Sequence, residues 1–265
     1  MESNCWLRKQ RIPIANGVVL RVPTIEEVLD IEQLYYSTAS TLTAVPYQFM
    51  VQLDDMGVDY TTITEFQFFQ MMFLSYVKQE TINKLLEEQG MYDQITPSAF
   101  NVIFEDLELV GFDIYVNPET QETCLLNSIT NVEINEFVYY QLVKAMRKLN
   151  NFEHVKAKPG NESAKKYLME KERRRLKRES KKPYEPYLEK LVVSMVNMPE
   201  FKYNYEQTFG MSLYVFNESL AQVQHKVTFD KTMIGVSIGF ADTKKMTDKS
   251  ILSWIRLGGN SHDQS

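Results

Sequence analysis

Between residues 156 and 182 the chain carries 12 Lys and Arg against four Glu, with few apolar side chains among them. A stretch of that composition is not absorbed into a hydrophobic core, because unpaired charges almost never leave water. Whatever this chain folds into must leave that strip at the surface and build its cores on either side. The other residues hold 17 basic against 31 acidic groups, so a basic strip separates two acidic bodies. Lys158-Pro159-Gly160-Asn161 breaks the chain ahead of it, and Pro183 stops it. Glu162 to Lys182 then reads as a helix of about 30 Å at ~1.5 Å rise per residue. Such a polar helix bridges two bodies or becomes ordered on binding. The expected organisation is an N-terminal α+β domain over residues 1–155, a basic helical connector over 156–184 and a C-terminal helical domain over 185–258. A disordered tail over 259–265 completes it.

The N-terminal part opens with two β-rich runs around Asn16-Gly17, a pair that accepts the positive φ angles of a tight hairpin turn. Thr24-Ile25-Glu26-Glu27 follows as a capping box, in which the Thr and Glu side chains each satisfy a free backbone donor at a helix start. That helix is expected to reach about Tyr36, with further helices over 38–53, 64–76, 79–89 and 97–107. Alternation from Gly111 to Val116, followed by Cys124-Leu125-Leu126, predicts a second hairpin. Ile134, Phe137, Val138, Leu142, Ala145, Met146 and Leu149 recur at helical spacing over 133–150. In the C-terminal part, Leu188, Leu191, Val192 and Met195 share one helical face, as do Leu213, Phe216, Leu220, Val223 and Val227. Residues 228–240 fit a helix or a strand, and the helix is the preferred reading. Thr247-Asp248 caps a last short helix. The expected class is therefore α+β, mainly α-helical, with two short β-hairpins.

Composition and motifs exclude several classes of function. The longest apolar runs fall far short of the roughly 18–20 residues that cross a bilayer, and the first residues lack the pattern of a secretory signal. Two cysteines, Cys5 and Cys124, make neither a disulfide framework nor a zinc spacing, which fits a reducing cytoplasm. His154, His225 and His262 are isolated, and no HExxH, GxSxG, P-loop or dinucleotide fingerprint occurs. Asp54, Asp55 and Asp59 lack calcium-loop spacing, and Gly57 among them marks a turn. The expectation is a protein without catalysis, metal or cofactor. Phe66, Phe68, Phe69, Met71, Met72 and Phe73 read as core rather than as a partner surface.

The basic strip carries the most functional promise. Lys165, Lys166, Arg173, Arg174, Arg175, Lys177 and Arg178 are clustered cations at helical spacing, suited to an acidic protein surface or to phosphates. The acidic balance of the rest opposes a polyanion, so nucleic acid is the less favoured partner.

Several phrases resemble a family of bacteriophage and prophage proteins from Gram-positive hosts, encoded among tail-morphogenesis genes. They are Pro23-Thr24-Ile25-Glu26-Glu27, Leu42 to Pro46, Met50 to Gly57, Lys158 to Glu162, Ala164 to Tyr167, Phe201-Lys202-Tyr203 and Leu213 to Ser219. The last of these also looks like the C-terminal part of phage tail assembly chaperones, which bind the tape measure protein and keep it soluble until the tail tube forms. The resemblance implies a non-enzymatic chaperone acting in the cytoplasm of the bacterial host. Its partners would be the tape measure protein or other tail proteins, with self-association as a further contact, and Phe216 and Leu220 join the candidate binding residues. A structural virion component and a nucleic-acid-binding phage protein remain the alternatives.

Overall fold

The computed structural model describes residues 5–118, 121–155, 157–240 and 242–256. The expected tail over 259–265, with His262, and Lys156 at the head of the basic strip lie outside the described residues. The fold is α+β and mainly helical. Strands β1 (Arg11–Ala15) and β2 (Val18–Arg21) form the antiparallel hairpin. Asn16 and Gly17 adopt φ of 51° and 82° at its turn, the left-handed pair that a two-residue loop demands. Helix α1 (Ile25–Leu29) begins at the capping box: the Glu27 amide donates to Thr24 Oγ1, and the Thr24 amide donates to Glu27 Oε2.

The helix beginning at Ile25 breaks at Asp30–Ile31 and restarts as α2 (Glu32–Thr43). Pro46 lacks an amide hydrogen and forces Val45 into an extended conformation, so the expected 38–53 helix divides. A 3-10 turn over Pro46–Phe49 leads into α3 (Met50–Asp55). The two helices expected over 64–89 are one, α4 (Glu65–Glu88), since nothing between residues 76 and 79 interrupts it. Only Phe100–Ile103 is helical (α5) where 97–107 was expected. The next residues are drawn to the hairpin: Leu20 and Phe104 form a β-bridge, and the Glu105 amide donates to Val19 O.

The second expected hairpin is part of a three-stranded antiparallel sheet, in which β4 (Thr123–Asn127) lies between β3 (Phe112–Val116) and β5 (Glu133–Ile134). Helix α6 therefore starts at Glu136 and runs to Asn150. After α7 (Glu162–Glu179) come α8 (Leu188–Val196), α9 (Tyr205–Phe209) and α10 (Leu213–Ser237). Residues 228–237 continue α10 as helix, and the expected last helix is a 3-10 turn over Ser250–Leu252.

Packing crosses the boundary expected near residue 184. Leu188, Val192, Met195, Leu213 and Phe216 belong to the same buried cluster as Leu20, Ile25, Tyr35, Phe69, Leu125 and Leu142. Each fully buried side chain of this size stabilises by about 1.5–3 kcal/mol, and the backbone adds to the junction. The Ile25 amide donates to Met211 O, and the Leu213 amide to Pro23 O. Glu32, buried in α2, accepts from the Tyr187 and Leu188 amides at 2.7 and 2.9 Å and so caps α8 from a distant part of the chain. A second, smaller cluster joins Met50, Val51, Leu53, Tyr60 and Phe68. Phe66, Phe68, Phe69 and Phe73 are all buried, as expected of core residues.

Candidate functional site

Helix α7 is positioned by its ends. Asn161 Oδ1 accepts from the Ala164 amide at 2.8 Å, and Glu162 in the first turn with Lys177 and Arg178 in the last complements the helix dipole. None of its residues is buried. It nonetheless has two distinct faces.

The inner face packs Leu168, Met169 and Leu176 against the smaller cluster. Around them stand two cations: Lys165 Nζ lies 2.7 Å from Asp59 Oδ2, and Arg173 Nη2 lies 2.7 Å from both Asp54 Oδ2 and Asp55 Oδ1. Lys165 and Arg173 are eight residues apart, about 12 Å along a helix. The carboxylates they meet sit on either side of the turn that ends α3. Gly57 makes that turn at φ +73°, and the Val58 amide donates back to Leu53 O, a helix ending that needs a residue free to be left-handed. The hydrogen bond from Lys165, with further ones from Thr61, holds the Asp59 carboxyl down to about 2. The same pairing raises Lys165, and Asp55 and Asp54 raise Arg173.

The outer face carries Lys171, Arg174, Lys177, Arg178 and Lys181, with Tyr167 and Glu170 among them, one helical turn apart along one side. Arg174 reaches Glu170 at 3.2 Å. Arg175 is held within the helix by Glu172 and by Glu179, and Lys166 is exposed. The seven basic candidates are thus divided. Lys165 and Arg173 meet the chain's own carboxylates, Arg175 is paired along the helix, and Arg174, Lys177 and Arg178 face solvent. In the sequence alone, Asp54, Asp55 and Asp59 mark a turn around Gly57. Their match to two cations eight residues apart was visible only in charge and spacing.

Phe216, expected to contact a partner, is 0% exposed in the main core, and Leu220 packs against that core. Both hold the fold. The exposed apolar side chains of α10 lie further along. Its first half is anchored by Leu213, Tyr214, Phe216 and Val223, and the chain after it returns to the middle of the helix. Gln222 Nε2 donates to Trp254 O at 2.8 Å, the Arg256 amide donates to Gln222 Oε1, and Arg256 pairs with Glu218 at 3.4 Å. Beyond that anchor Ile234, Ile238 and Phe240 are 62%, 71% and 91% exposed, and Trp254 and Ile255 on the returning segment are exposed as well. Periodicity places Ile234 and Ile238 on the helical face that Phe216 and Leu220 occupy. It does not show that the body stops short of them.

His154 Nε2 lies 3.0 Å from Glu65 Oε1. His225 lies inside α10 with Nε2 2.8 Å from Ser253 O. Cys124 is buried, which pushes its thiol up. Among the described residues no group of three His, Cys, Asp or Glu is placed to hold a metal ion, and no helix is long and apolar enough to cross a membrane. An open cleft of about 790 Å³ between the α1–α2 junction and α8 is lined by Leu29, Ile31, Leu34, Tyr184 and Pro186. Its buried carboxylate, Glu32, is occupied by the α8 amides.

Residues 178–256 match the family model described as the YomV second domain. This region covers the end of α7, helices α8–α10 and the returning segment. The match supports an origin in a phage or prophage of Gram-positive bacteria. Comparison with curated proteins and with solved structures finds no match.

Proposed function

We propose that this phage-associated chain is a non-catalytic tail assembly chaperone that binds the tape measure protein in the host cytoplasm. The observation that carries the reading is the distal end of α10 with the turn that follows it, where Ile234, Ile238 and Phe240 stand exposed inside the family-matched region. Large apolar side chains gathered at one helix end and left exposed are a mark of a binding surface. An apolar helical face is also what holds another amphipathic helix. The acidic remainder keeps such a surface soluble and reversible. The choice of the tape measure protein draws on the sequence resemblance.

Co-expression of the full chain with the tape measure protein encoded in the same tail module tests the proposal. The two should co-purify, and failure to associate would reject it. Mass spectrometry of finished particles separates this role from that of a structural virion component, since a chaperone is absent from them.

The outer face of α7 favours a second reading, nucleic-acid binding through Lys171, Arg174, Lys177, Arg178 and Lys181. Engagement of about five phosphates requires log K to fall with log salt at a slope of roughly 4–5 on duplex DNA. Binding that ignores salt, or no binding at low salt, excludes it.

A further inference from the structure

The segment from Asp54 to Tyr60, with the apolar cluster beside it, forms a surface that the chain fills with its own helix. The chemistry alternates along α7: Lys165 on Asp59, Leu168 and Met169 on the cluster, Arg173 on Asp54 and Asp55, then Leu176 on the cluster again. The fit is incomplete. No residue of α7 is buried, and its ion pairs stand at the surface, where water and salt weaken them. Tyr60 is only 5% exposed, yet its hydroxyl finds no hydrogen-bond partner among the described residues. This orphan belongs to the same contact, since Lys165 Nζ lies 5.6 Å from the Tyr60 ring centroid. The segments flanking α7, residues 157–161 and 180–187, contain no regular secondary structure, so the helix joins the body through two irregular connections and one shallow contact.

We infer that this surface is a helix-binding site, that α7 is the strap that fills it in the free protein, and that its true occupant is a basic amphipathic helix of another protein. Charge decides the class of partner. Asp54, Asp55 and Asp59 repel an acidic helix, and a purely apolar helix leaves them without a counterion. A helix with two cations about eight residues apart, flanking apolar residues on one face, meets every group that α7 meets. Adding a polar side chain opposite Tyr60 would exceed what α7 provides. A tethered helix competes at an effective concentration on the order of millimolar, so an outside helix must bind more tightly than α7 does. When it displaces the strap, Lys165 and Arg173 are released to solvent. This site is separate from the distal end of α10, and its fate does not depend on the chaperone reading.

The test uses the full chain and a fluorescent synthetic peptide with the sequence of residues 161–181 as the probe. A strap-weakened chain, Leu168→Ser with Arg173→Ser, should bind the peptide about tenfold or more tightly than the wild-type chain does, because the internal competitor is weakened. Adding Asp54→Lys and Asp55→Lys should abolish that binding, and a peptide with Ser in place of its three inner apolar residues should not bind. Equal affinity for both chains, no binding by the strap-weakened chain, or indifference to the Asp54 and Asp55 reversals overturns the inference. Hydrogen exchange on the unmodified chain guards against a variant that fails to fold. Amides of α7 should exchange roughly a hundredfold faster than those of α6, as for an element that opens locally. Protection equal to that of α6 overturns the inference by itself.

Discussion

Asn127 shows how a single side chain holds a part of this fold together. It is completely buried, and all four of its hydrogen-bonding positions are used. Nδ2 donates to Glu108 O and Val110 O, while Oδ1 accepts from the Ile129 and Thr130 amides, at 2.8–3.0 Å. Asn127→Ala leaves four backbone groups to find new partners and should lower stability by about 2–3 kcal/mol, read from urea unfolding. A loss below about 0.5 kcal/mol would mean that water replaces these bonds. Glu32 does the same work between distant segments by capping α8. Glu32→Ala should cost about 1–2 kcal/mol and Glu32→Gln clearly less, since Gln keeps an acceptor for the two amides. Equal losses in both variants would show that the charge, not the cap, matters. Neither role was legible in sequence, because both side chains bind amides whose positions only tertiary structure sets.

At the scale of elements, α7 responds to acid through Asp59. Its carboxyl is depressed to about 2 in the folded chain, against about 3.9 for a free aspartate. The contribution of the Lys165 pair is therefore fully present above about pH 4 and is lost as pH falls towards 2. Hydrogen exchange should show α7 losing protection relative to α6 across that window. Asp59→Asn should remove the pH-dependent part, and an unchanged ratio of α7 to α6 protection would contradict the pairing. Elements fixed by local chemistry were legible in advance. The Asn16-Gly17 turn, the Thr24 and Glu27 capping box and the breakers around α7 all act within a few residues. Elements decided by distant neighbours were not. The Glu133–Ile134 strand exists because β4 is beside it, and α5 is short because Phe104 and Glu105 pair with Leu20 and Val19 of β2. The contact of Arg173 with Asp54 and Asp55 joins residues more than a hundred positions apart. Phe216 lay at the same helical spacing in a buried or an exposed face, so periodicity could not assign it to the core.

For the whole molecule, the main buried cluster draws on both sides of the basic helix. Unfolding of the full chain should then be one transition by near-ultraviolet circular dichroism and by tryptophan fluorescence. A fragment ending at residue 183 should lack fixed tertiary signals, because the side chains of α8 and α10 that complete the core are gone. Two well-separated transitions would indicate independently stable halves. Outside that core the molecule displays two surfaces of opposite character, the cationic outer side of α7 and the apolar end of α10. Under the proposed function, the second holds another polypeptide. The decisive measurement is the soluble fraction of the tape measure protein when it is co-expressed with the wild-type chain or with Ile234→Asp and Phe240→Asp together. The wild-type chain should keep it in the supernatant, while the double variant, equally folded and abundant, should let most of it sediment. Equal solubility with both chains would contradict the account.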